Sequence, residues 1–339
     1  MTISKDQSTL FKGILILMMI FLHLFDTNHI GLCTNFIYVG NTPFALWLHN
    51  ACGPVGFFLL LSGYGLAYTF DKNNLSFATQ GKRLLKLYVS YLVILLVFVF
   101  IGSFISDRYP GGLQDFILNI IGWDYTYNAE LWFFLPYCIL SLLSPIIIRI
   151  IGYLGNIRTL LLTGFIHICT CFIISRYAEQ YLYTNPLLYR LLLPFHLLYS
   201  FSVGVVFYRM KEINWKFPSW TTISFILIMV CVVAICDTAA VYMFYEPLLI
   251  ILLCQISFPK YLNNILMELG RKSMPMWMIH TWFCYYLFQP QVYSLRYPLV
   301  IFIVVVTISY LTAIPMTWIS QKCYMILTKR GLYSRKQSG

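Results

Sequence analysis

Apolar residues in this chain come in long unbroken runs separated by short polar stretches. That pattern has neither the two-residue alternation of a half-buried strand nor the single apolar stripe of a soluble helix. Runs long enough to cross about 30 Å of hydrocarbon fall at roughly 11–26, 52–70, 86–105, 131–151, 159–175, 190–208, 220–236, 242–258, 274–289 and 298–320. The pattern predicts an all-α polytopic membrane protein with about ten transmembrane helices. Length decides one boundary. A single helix from Pro218 to Pro259 would be about 60 Å long, twice the hydrocarbon thickness. Asp237-Thr238-Ala239-Ala240 and Glu246 are therefore expected to mark a hairpin between two spans.

Charge agrees with that division. With the N-terminus inside, the outer segments hold only Arg108, Arg176, Arg190 and Arg296, and the rest of the 23 Lys and Arg fall on the inner side. This bias predicts that both termini are cytoplasmic. The composition, 60% hydrophobic and 10% charged with a mean hydropathy of +0.75, leaves no room for a sizeable soluble domain; soluble domains carry roughly 25% charged residues. No small-residue cleavage site follows the first run, which is expected to stay as a span. The net charge of +11 reads as loop anchoring and not as nucleic-acid binding. The ten cysteines show no CxxC pair or ligand-spaced cluster, so no metal site is expected, and a disulfide between Cys33 and Cys52 stays open.

A few polar residues inside or beside the runs are candidates for chemistry. Lys12 and His23 are eleven residues apart, three turns plus roughly 20°, which puts both on one face of the first helix about 16 Å apart. Ionisable groups within a bilayer are costly and mark functional interiors, although a lysine at a helix start also serves as an interfacial anchor. Phe57-Phe58-Leu59-Leu60-Leu61-Ser62-Gly63-Tyr64-Gly65 carries small residues that permit close helix approach; Gly65 reads as packing, and Ser62 to Tyr64 as a possible cavity lining. Arg83 and Lys86 share a helix face and suit phosphate. Glu130-Leu131-Trp132-Phe133 sets a carboxylate at the outer mouth of a span, and Gly270-Arg271-Lys272-Ser273 leads into a span holding His280. His167 and His196 read as structural. In the outer loops, acidic residues accompany Tyr109, Trp123, Tyr125 and Tyr127, which suits either carbohydrate or an interfacial aromatic belt.

Taken in order, Lys12…His23, the Phe57–Tyr64 stretch, Arg83-x-x-Lys86, Glu130-Leu131-Trp132-Phe133 and Gly270-Arg271-x-Ser273…His280 resemble the acyltransferase 3 family of membrane acyltransferases over roughly 10–320. The resemblance implies a transmembrane acyltransferase domain over 1–325 with a short basic cytoplasmic tail, 326–339, in a bacterial inner membrane. It implies an O-acetyltransferase that takes an acetyl group from cytoplasmic acetyl-CoA to a hydroxyl of an extracytoplasmic cell-envelope glycan or lipid-linked sugar. No permanently bound cofactor is implied; acetyl-CoA is the donor substrate. His23 takes the place of the family's histidine, as general base or acetyl carrier, with Asp26 or Glu130 orienting its ring. Lys12, Arg83, Lys86 and Arg271 would meet the donor phosphates, and Ser62, Tyr64, Trp132 and His280 would line the substrate site. Lys12 and Lys86 stand where the family more often has arginine, and lysine lacks the bidentate fork. Intramembrane His, Lys and Glu also build the proton relays of secondary transporters, and a non-catalytic part in envelope polysaccharide assembly is the third reading.

Overall fold

The first apolar run folds as helix α1, Lys5–Leu24, opened by a capping box. Ser4 Oγ accepts from the Gln7 N–H and the Gln7 side chain accepts from the Ser4 N–H, which satisfies two donors that a helix start leaves free. The computed structural model describes residues 2–210, 216–236 and 238–337, the side chains of 329–337 excepted. After α1 come a two-residue hairpin, β1 (Tyr38–Val39) and β2 (Thr42–Pro43), antiparallel with Tyr38 opposite Pro43, and the short α2, Phe44–His49. Then follow α3 (Val55–Asp71), α4 (Phe77–Gly102), α5 (Leu113–Ile120), α6 (Phe134–Leu154) and α7 (Asn156–Tyr177). The chain continues through α8 (Pro186–Met210), α9 (Ser219–Cys236), α10 (Ala239–Leu253), α11 (Lys260–Thr281), α12 (Gln289–Tyr293) and α13 (Pro298–Gln337).

Among the described residues, seven helices are long and apolar enough to cross a membrane, and α3 and α10 are shorter apolar helices. Each expected run finds a helix, with three differences. The helix of the 274–289 run begins at Lys260, because Pro259 caps it and Asn263, Asn264, Glu268 and Arg271 lower the hydropathy without breaking the helix. The Gly270–Ser273 motif therefore sits within α11 and does not lead into it. The turn between α9 and α10 lies where expected, although Asp237 itself is outside the described residues. Glu246 is not part of that turn. It is buried in α10 with its carboxylate against Gly56, where an added Cβ would meet Oε1 at 1.8 Å. The final helix carries the chain on to Gln337, through most of the basic tail. Cys33 and Cys52 are both free thiols.

Two helix crossings organise the interior, and both depend on glycine. Helices α1 and α11 run parallel: a Cβ on Gly13 would lie 2.0 Å from the Leu266 carbonyl oxygen, and one on Gly270 would lie 1.8 Å from that of Thr9. Helices α3 and α8 meet at Gly63 and Gly204, where a Cβ would come within 2.1 Å of the Phe201 oxygen and 2.0 Å of the Leu60 oxygen. Backbones this close gain dispersion contacts that larger side chains forbid, the usual way helices associate where lipid gives no hydrophobic drive. Gly65 behaves otherwise: nothing lies near its missing Cβ. The packing role expected of Gly65 belongs to Gly63.

Candidate active site

The parallel crossing sets the level of two histidines. His23 lies ten residues after Gly13 and His280 ten after Gly270, so each ring sits about 15 Å beyond the close contact. The rings meet at 5.2 Å between centroids, tilted by 42°. His280 is fully buried and its Nδ1 is 2.8 Å from the Trp277 carbonyl oxygen. Only an N–H can satisfy that acceptor, so Nδ1 carries the proton. Nε2 is then a bare lone pair, and it is buried with no hydrogen-bond partner.

Glu130 approaches from the short 3-10 turn Ala129–Phe133, placing Oε2 3.7 Å from His23 Nδ1. The turn is pinned by Asn128, whose side-chain oxygen accepts from the Glu130 N–H at 3.2 Å and whose amide donates to Thr281 Oγ1 at 2.8 Å. Asn128 and Thr281 are both fully buried, so this bond ties the carboxylate's turn to the helix of His280. Tyr285 completes the ring of neighbours: its hydroxyl donates to the His23 carbonyl oxygen and lies 3.1 Å from Asp26 Oδ2.

Asp26 does not orient His23. Helix α1 ends at Leu24, and the Asp26 carboxylate turns back to accept the backbone N–H groups of Asn28 and His29, with the His29 ring nitrogen at 2.6 Å. It reaches His23 only through Tyr285. Of the two carboxylates expected beside the ring, Glu130 is the one in place.

A cavity of about 250 Å³ lies below this cluster, lined in part by Lys12, Ser62, Gly65, Arg83 and Ser273. Its walls also include Met19, Phe133 and Trp277, each one turn from His23, Glu130 and His280 respectively. A second cavity of about 190 Å³ holds Lys86 and Arg271. Met274 lines both, so the four expected cations form two pairs on either side of one side chain. Arg271 is bound at 2.7 Å to Glu268. Tyr64 is not brought to the site. Its hydroxyl accepts from the Ile3 N–H at 2.9 Å and its ring packs edge-on against Tyr208.

On the other side of Glu130 opens a cavity of about 730 Å³, lined by Glu130 and Trp132 with Tyr125, Tyr183 and Tyr189. Asp124, one of the outer-loop acids, is held by Arg190 at 3.1 Å, and the guanidinium lies over the Trp123 ring. Asn128, Thr281 and Tyr285 carry no signal along the chain that marks them. They are ordinary polar residues whose meaning comes from partners on distant segments. His167 and His196, expected to be structural, are stacked at 4.7 Å.

Apolar membrane-length helices around a half-buried histidine–carboxylate pair define a multi-pass helical membrane protein. Residues 7–318 match the acyltransferase domain that defines the acyltransferase 3 family, and the chain belongs to that family. No curated protein and no solved structure matches it.

Proposed function

We propose that this membrane acyltransferase moves an acetyl group from cytoplasmic acetyl-CoA to a hydroxyl of a cell-envelope glycan or lipid-linked sugar across a bacterial inner membrane. One observation carries the reading: Glu130 joins the aromatic cavity to His23, while the Lys12–Arg83 cavity ends one turn from the same histidine. In this reading ten helices cross the bilayer with both termini inside. The cation cavities then open to the cytoplasm, and the aromatic cavity opens to the other face.

The two cation pairs suit a donor with phosphates at two places. Lys12 and Arg83 would take one group and Lys86 with Arg271 the other, through charge-assisted hydrogen bonds. Ser62, on the wall of the first cavity, would donate to the donor's polar atoms. Tyr125, Trp132, Tyr183 and Tyr189 offer ring faces for a sugar. His23 takes the proton of the acceptor hydroxyl as its oxygen attacks the thioester carbonyl. The tetrahedral intermediate collapses with loss of the CoA thiolate, which receives the proton back from the imidazolium. Glu130 stabilises that imidazolium, and the buried His280 ring, packed 5.2 Å from His23, holds the base in position beside the substrate. The test is transfer of labelled acetyl by purified protein in nanodiscs supplied with membrane glycan. His23→Ala is expected to insert and bind acetyl-CoA yet lose about 10²–10⁴ in turnover; normal turnover by this variant would overturn the assignment.

A further inference from the structure

We infer that His167, Cys171 and His196 form a zinc site in the wall of the aromatic cavity. His167 and Cys171 are four residues apart on α7 and so stand on one helix face. His196 comes from the adjacent α8. One donor atom from each of the three lies within 4.8 Å of the others.

Two features make this more than proximity. The first is length. The sulfur lies 3.5 Å from His167 Nε2 and 3.6 Å from His196 Nδ1. A tetrahedral zinc with Zn–S near 2.3 Å and Zn–N near 2.05 Å requires an S···N edge of about 3.6 Å. The second is the tautomer of His167. Its Nδ1 is 2.7 Å from the His196 carbonyl oxygen, so Nδ1 carries the hydrogen and Nε2 turns a bare lone pair toward the sulfur. A ring N–H held by a carbonyl is the usual outer support of a metal-bound imidazole.

Two imidazoles and a thiol select a borderline-soft ion such as zinc over magnesium or calcium, which need oxygen donors. On binding, the Cys171 thiol loses its proton to solvent and binds as the thiolate. Cys171 and His196 both line the cavity of about 730 Å³. The fourth position therefore faces that space, open to water or to an oxygen of its occupant. The site bridges α7 and α8 and does not depend on the identity of the acyl donor.

The experiment is metal analysis of the purified full chain in detergent, stripped with chelator, loaded with zinc and freed of excess. One zinc per chain is expected in wild type and in His23→Ala, and none in His167→Ala, Cys171→Ser or His196→Ala. Cobalt in place of zinc is expected to give a thiolate-to-metal charge-transfer band that Cys171→Ser lacks. Should the variants aggregate, wild type alone decides: zinc is expected to slow alkylation of Cys171 at least tenfold, read by mass spectrometry, while the exposed Cys231 and Cys236 react as before. Absence of a stoichiometric zinc, zinc retained by Cys171→Ser, or equal alkylation with and without the metal would each overturn the site. The first and last of these would leave a sulfur–imidazole hydrogen-bond cluster in its place.

Discussion

Oε2 of Glu130 lies 3.7 Å from Nδ1 of His23, and the same carboxylate forms part of the aromatic cavity wall. The distance is longer than a hydrogen bond and short enough for an ion pair once the ring is protonated. In the proposed mechanism Glu130 is thus poised for the state His23 would occupy after accepting a proton. Glu130→Gln keeps the shape and removes the charge, and it is expected to lower kcat roughly 10–100-fold with little change in KM for the donor. Glu130→Asp should recover part of that loss. Steady-state transfer kinetics on the three proteins separate this positioning role from a purely structural one, which would weaken donor binding or yield as well.

Arg83 shares the first cavity with Lys12, whereas Arg271 is already bound to Glu268. A charge-assisted hydrogen bond is worth about 1.5–3 kcal/mol. Arg83→Ala is therefore expected to raise KM for acetyl-CoA roughly 10–100-fold. Arg271→Ala, which gives up a contact already shared with a carboxylate, should raise it less. Calorimetric or filter binding of the donor ranks the two; a larger effect at Arg271 would relocate the main phosphate contact.

Ser62 and Tyr64 part company in function. Tyr64→Phe leaves the buried Ile3 N–H without an acceptor, a loss of about 1–3 kcal/mol, and is expected to lower thermal stability in detergent while turnover stays within about twofold of wild type. Ser62→Ala should do the reverse, with unchanged melting and weaker donor binding.

Gly63→Ala is expected to be severely destabilising, because its Cβ would sit 2.1 Å from a backbone oxygen that cannot move without separating α3 from α8. Overpacking of even a compliant core costs about 1–3 kcal/mol. Gly65→Ala, facing open space, should melt as wild type does. Fluorescence-detected size-exclusion after heating compares the pair.

The helices were legible because an uninterrupted apolar run leaves the backbone few alternatives in lipid. The first half of α11 was not, since Asn263, Asn264 and Glu268 look like loop residues until the facing helix is known. That Lys12 and His23 share one helix follows from the apolar run alone. Tyr64 was misplaced for a reason the helix itself supplies: two residues on from Ser62 is about 200° around the axis, so the two cannot face one cavity. Asp26 looked one turn from His23, but that turn requires a helix, and α1 stops at Leu24. The third member of the His167–Cys171 pair sits on another helix, where spacing along the chain says nothing.

The parallel pairing of α1 and α11 gives the two histidines a common origin of measurement. Gly13 and Gly270 act as the shared zero of two rulers, and both rings fall at the tenth mark. No loop enters that measurement. The aromatic cavity, by contrast, takes its walls from α7, α8 and the stretch before α6, which are not part of the ruler. Inserting one residue between Gly13 and His23 would swing the imidazole by about 100°, while rebuilding the cavity walls on α7 and α8 would leave it aligned with Glu130 and His280. If the proposed function holds, recognition of the acceptor can therefore diverge from one chain to another, through α7 and α8, around unchanged histidines.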